Sequence, residues 1–136
     1  GKLAVMGLLP ALLPNARLVL ITRQPLAACF AHFRALGGNF LALAKAFAEY
    51  EALRAHWLSV LPASACLTLD FDTLRAHPET ETARLLAWCG LSSASGCAEV
   101  VRSNTAPGWR AYGNRLVGLR SALAAQGIES PDIHIP

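Results

Sequence analysis

Six residues, Arg17 to Thr22 (RLVLIT), set four large aliphatic side chains in a row, Leu18 through Ile21. A run of this length without polar alternation suits a β-strand buried on both faces, as in parallel sheets. Arg23 closes the run, and Pro25 stands where the first residue of a helix would be. The segment LAACFAHFRAL then reads as helix up to Gly37-Gly38. A second candidate strand, Ala65 to Leu69 (ACLTL), follows later. Strands alternating with helices indicate an α/β fold around a parallel sheet. Two strands cannot make a stable sheet core alone, so the pattern expects further strands upstream.

The remaining elements follow from spacing and punctuation. Leu3 to Leu13 is apolar and reads as helix, ending at Pro14-Asn15. Asn39 is a candidate N-cap for a long helix with apolar positions at Phe40, Leu43, Phe47, Tyr50, Leu53, Trp57 and Leu61. Pro62 ends it. Pro78, with Glu79 and Glu81 in the first turn, opens another helix that Gly90 closes. Residues 92–108 read as irregular, Tyr112 to Gln126 as a last helix, and 127–136 as a tail.

Apolar residues make up 54% of the 136 and charged residues 15%, against about 25% charged in average domains. Disorder, a charged coiled coil and a basic nucleic-acid-binding tail do not fit that balance. A membrane span does not fit either, because Pro10 and Pro14 interrupt the longest apolar stretch short of the roughly 20 residues required. The excess of apolar surface calls for a partner or for the rest of a larger domain. A start at Gly1 and the single methionine, Met6, favour the second option, and no signal-peptide layout opens the chain. Cys29, Cys66, Cys89 and Cys97 lie scattered in apolar surroundings without metal-ligand spacing, as expected of free thiols in a reducing cytoplasm. The net charge of +3 permits an anionic ligand without requiring one.

Arg23 carries the clearest chemistry. At the end of a parallel strand its guanidinium reaches the carboxyl edge of the sheet, where ligands of open α/β sheets bind. The helix N-terminus that follows favours a phosphate there, and arginine offers it a bidentate fork. The same residue at a strand end could instead cap the chain or pair with a carboxylate, and local features leave both readings open.

Four segments, in order, resemble a known family: PNARLVLITRQP (14–25), AHWLSVLP (55–62), LDFDTLRAHPETETARLLAWCGL (69–91) and GWRAYGNRLVGLRSAL (108–123). They are similar to blocks of sulfotransferases that use 3′-phosphoadenosine 5′-phosphosulfate (PAPS). The resemblance is nearest to a bacterial group related to tyrosylprotein sulfotransferases and often fused behind tetratricopeptide repeats. It implies a P-loop-NTPase-like α/β fold with a parallel sheet and flanking helices, incomplete here. On this reading residues 1–126 are the C-terminal portion of one sulfotransferase-like domain. PAPS would be the co-substrate and no metal would be required. The acceptor would be a hydroxyl or amine on a small molecule, glycan or protein; no nucleic acid and no membrane span are implied. The family's phosphosulfate-binding loop and general base lie upstream, and this chain has no Gly-rich loop of that kind, so it is expected to be inactive alone.

The resemblance also assigns roles. Arg23 matches the arginine that grips the 3′-phosphate. The family's partner serine, eight residues on, is Ala31 here, and Gln24 stands where Asp is common. Arg102, seven residues before Trp109, matches the spacing of a further 3′-phosphate arginine, although Ser103 and Asn104 replace its motif neighbours. Trp109 and Tyr112 match a Trp–Tyr pair that either packs the last helix or contacts the nucleotide. Phe71-Asp72 replaces the usual Tyr-Glu. Lys2 is a candidate catalytic lysine that would stabilise charge on the bridging oxygen. His32 and His56 lie away from the family's base position. Ala31, Gln24 and Phe71 also admit a second reading, a non-catalytic relative serving as an interaction or regulatory domain.

Overall fold

The computed structural model describes residues 6, 8–92, 96–103 and 109–130. They fall into two compact units, one of residues 1–23 and 53–105, the other of residues 24–52 and 106–136. In chain order the elements are α1 (Leu9–Leu12), β1 (Leu18–Thr22), α2 (Pro25–Leu36), α3 (Phe40–Val60), β2 (Cys66–Asp70), α4 (Phe71–Ala76), α5 (Pro78–Cys89), α6 (Cys97–Ser103) and α7 (Val117–Ala124). Short 3-10 segments at Ala63–Ala65 and Trp109–Leu116 complete them. The fold is mixed α/β and rich in helix. Of the helix expected over Leu3 to Leu13, the α-helical part among the described residues is the single turn of α1, with Met6 and Leu8 in 3-10 conformation before it.

The first unit is built on the parallel pair of β1 and β2. Their register runs from Leu18 opposite Cys66 to Thr22 opposite Asp70. The expectation of a strand buried on both faces needs correction. Leu20 is buried but its partner Thr68 is exposed, while Leu69 is 2% exposed and its partner Ile21 is 55% exposed. Each face of the pair is therefore covered over one strand only, because two strands present more apolar surface than their described neighbours cover.

Arginines tie α5 to this sheet. Arg17, just before β1, donates to the Trp88 carbonyl in the last turn of α5 and lies 5.6 Å from the Trp88 ring centroid. Arg84 pairs with Glu81 at 2.6 Å and donates to the Thr68 carbonyl of β2 at 3.3 Å. Proline at the first position and two acids in the first turn start α5, and Gly90 in the left-handed region ends it (φ 74°). Residues 97–103 correct the irregular stretch read from sequence: they form α6. Arg102 on α6 reaches both Glu79 on α5 and Glu99 one turn back, so ion pairs join this helix, set within the Ser-rich sequence 92–108, to α5 and to itself.

The second unit has the larger apolar core. Leu26, Ala27, Cys29 and Phe30 of α2 pack with Ala44, Trp109, Leu116, Leu119 and Leu123, and Phe40, Leu43 and Phe47 of α3 lie against them. Asn39 caps α3, accepting from the Ala42 N–H at 2.7 Å. The last helix is shorter than its pattern suggested. Residues 109–116 are 3-10 with a break at Gly113, whose φ of 35° and ψ of −116° no α-helix contains, and only Val117–Ala124 is α-helical. Tyr112, on the 3-10 segment, stacks against Phe30 with centroids 4.5 Å apart.

Candidate functional site

Parallel in-register pairing decides what stands at the carboxyl edge of the sheet. Thr22 faces Asp70 as the last pair of the ladder, so the next residues, Arg23 and Phe71, leave the sheet side by side. The Thr22 hydroxyl donates to Asp70 Oδ2 at 3.4 Å. The other carboxylate oxygen, Oδ1, accepts from the Thr73 N–H at 2.7 Å, which makes Asp70 the N-cap of α4. Burial alone would raise the Asp70 pKa. Hydrogen bonds from Thr73, Thr22 and the Asp72 backbone outweigh it and hold the carboxyl below its ordinary value.

Arg23 lies over the Phe71 ring, its guanidinium carbon 4.6 Å from the centroid. Its Nε is buried and has no hydrogen-bond partner among the described residues. A buried guanidinium donor left open is costly unless a ligand or water fills it. The arrangement is thus a cation at a strand end, stacked on an aromatic face, with a donor available for an anion. Among the described residues no carboxylate pairs with it, the arrangement that the sequence also allowed.

The other sequence-derived candidates lie elsewhere. The resemblance assigned Arg102 to a 3′-phosphate, yet its guanidinium is held by Glu79 and by Glu99 at 2.8 Å. Trp109 is 6% exposed within the core of the second unit, with Arg110 over its ring at 4.8 Å, so it has little surface to offer a ligand. Lys2 lies outside the described residues. Gln24 caps α2, its Oε1 accepting from the Ala27 N–H at 2.6 Å. Ala31 is an exposed α2 residue. His32 and His56 are exposed. The residue that sequence reasoning passed over is Asp70. Its signal was present, an Asp directly before a helix with Thr three positions on, the usual N-cap arrangement.

A family model described as the sulfotransferase family matches residues 2–95. The chain belongs to the sulfotransferase family. Transfer of a sulfuryl group is accordingly the chemistry of its relatives. The match takes in Arg23, Gln24, Asp70 and Phe71 and ends before Arg102 and Trp109. No curated protein and no solved structure matches the chain. Among the described residues, no three His, Cys, Asp or Glu side chains gather as metal ligands, and no helix is long and apolar enough to cross a membrane.

Proposed function

We propose that this sulfotransferase-family chain carries the part of the domain that grips the 3′-phosphate of PAPS, with Arg23 as the anion contact. The observation that carries the reading is the buried Nε of Arg23, without a hydrogen-bond partner among the described residues, at the carboxyl edge of the parallel pair. Phosphate oxygens suit a guanidinium fork, and a charge-assisted bond there is about twice as strong as a neutral one. The fold around it is read as P-loop-like, and the nearest group as the bacterial, tetratricopeptide-associated tyrosylprotein type. In the reaction the sulfur–oxygen bond to the nucleotide phosphate breaks and a bond from sulfur to the acceptor oxygen or nitrogen forms. The acceptor's proton leaves to a base. The 136 residues hold no Gly-rich phosphate loop, so the phosphosulfate cradle and base are assigned to other sequence, with Lys2 as the candidate group for the bridging oxygen.

A non-catalytic relative is the second reading, favoured by Ala31 standing where a phosphate-binding hydroxyl is expected. Calorimetric titration of the 136-residue chain with adenosine 3′,5′-bisphosphate separates the two. The nucleotide-binding reading expects affinity that falls about tenfold or more in Arg23→Ala. It also expects weaker binding of adenosine 5′-monophosphate, which lacks the 3′-phosphate. Absence of binding by the unaltered chain supports the non-catalytic relative.

A further inference from the structure

We infer that Phe71 is a positioning residue for Arg23, an aromatic shelf that orients the guanidinium toward its anion; the inference rests on the nucleotide reading above. A guanidinium stacked on a ring uses its π face for the ring and keeps its in-plane N–H groups free. Arg23 has its central carbon 4.6 Å from the ring centroid, and its Nε has no partner among the described residues. The shelf is itself held. Phe71 is the first residue of α4, and the preceding Asp70 both caps that helix and accepts from Thr22, the neighbour of Arg23. The four residues thus form a closed circuit: strand end, cross-strand hydrogen bond, helix cap, ring, and back to the arginine. A flexible arginine would lose side-chain freedom on closing around a phosphate. One already stacked has lost part of it before the ligand arrives, which raises affinity. Phenylalanine carries no hydroxyl, so its ring gives Arg23 a face and no competing acceptor.

The test uses the full 136-residue chain and adenosine 3′,5′-bisphosphate. In the unaltered protein the Arg23 Nε–H proton resonance is expected upfield of that of an exposed arginine, through the ring current of Phe71. Phe71→Leu should abolish that displacement and Phe71→Tyr should keep it. Nucleotide affinity should fall about three- to tenfold in Phe71→Leu and recover in Phe71→Tyr. In an Arg23→Gln background, measured at low salt, Phe71→Leu should have no further effect. An unshifted Nε–H resonance in the unaltered chain overturns the shelf without recourse to any variant. So does a Phe71→Leu loss that persists undiminished in the Arg23→Gln background, which would mean that the ring contacts nucleotide directly. If Arg23→Gln binds as well as the unaltered chain, the nucleotide reading fails and the positioning role falls with it, even where the stack itself is seen. If Arg23→Gln loses binding but Phe71→Leu does not, the nucleotide reading stands and the positioning role alone is lost.

Discussion

Thr22 and Asp70 close the parallel ladder with a side-chain hydrogen bond of 3.4 Å, and the same carboxylate caps α4 at 2.7 Å. One residue therefore joins the sheet edge to the helix that carries Phe71. Asp70→Ala removes the cap and should cost about 1 kcal/mol, within the usual range for cap deletions, by urea denaturation. Asp70→Asn keeps a capping oxygen and should cost less at neutral pH. The carboxyl is held below its ordinary value in the fold. Its contribution is thus present above the unfolded-state pKa of about 3.9 and is lost as pH falls through the lower folded value. The stability difference between the unaltered protein and Asp70→Asn should shrink as pH drops below about 4. A difference that stays constant down to pH 2 would show that the charge plays no part.

Cys29 should behave as a buried thiol with a pH signature of the opposite kind. Burial pushes its pKa up to about 11. The protonated form is the folded one, so its contribution is complete below the ordinary cysteine value of about 8.5 and disappears as pH rises toward the folded value. Urea midpoints should fall over that range, and Cys29→Ala, though less stable at pH 7, should fall less. Maleimide labelling at pH 8, read by mass spectrometry, should modify Cys29 last among the four cysteines, since it alone is fully buried.

The sequence was most informative where one local signal decided the outcome. Pro25, Asn39, Pro78 and Gly90 each fix a helix boundary through a single backbone rule, and each boundary stands where the rule puts it. Arg23 was legible as a cation at the carboxyl edge of the sheet because an apolar run ended on it. Features that depend on distant partners were not legible. Whether Ile21 is covered depends on what packs over β1, and hydrophobicity alone does not say. The ion pair that links α6 to α5 joins Arg102 to Glu79, more than twenty residues away in sequence. The Gly113 break interrupts a pattern that a hydrophobic stripe would have carried through. The placing of Arg23 over Phe71 follows from the register of two strands separated by two helices, so neither residue announces it alone.

Gly90 tests the backbone account of the α5 terminus. Its φ of 74° and ψ of 23° place it in the left-handed region, and a Cβ there would meet only Arg17 Nη1 at 3.7 Å, an ordinary contact. The cost of Gly90→Ala is therefore conformational, about 1–2 kcal/mol by chemical denaturation. Gly90→Asn should cost less, because asparagine tolerates that region. Equal losses in the two variants would point to crowding instead of backbone strain.

Arg23 and Arg102 give the sharpest separation between an arginine proposed to hold a ligand and one already neutralised. Arg102 faces Glu79 and Glu99, whereas Arg23 has a ring beneath it and a buried Nε without a partner among the described residues. The net local charge at Arg102 is unfavourable for a phosphate, and its carboxylates would have to release it. At 0.15 M salt, Arg102→Ala should change affinity for adenosine 3′,5′-bisphosphate by less than about twofold, since Glu79 and Glu99 already neutralise the charge it removes. It should also cost less than about 1 kcal/mol of stability, because both of its pairs are exposed. Arg23→Ala should weaken the nucleotide about tenfold or more and flatten the dependence of affinity on salt. Comparable losses in the two variants would mean that Arg102 leaves Glu79 and Glu99 when nucleotide binds, and the phosphate would then be held by both arginines rather than by Arg23 alone.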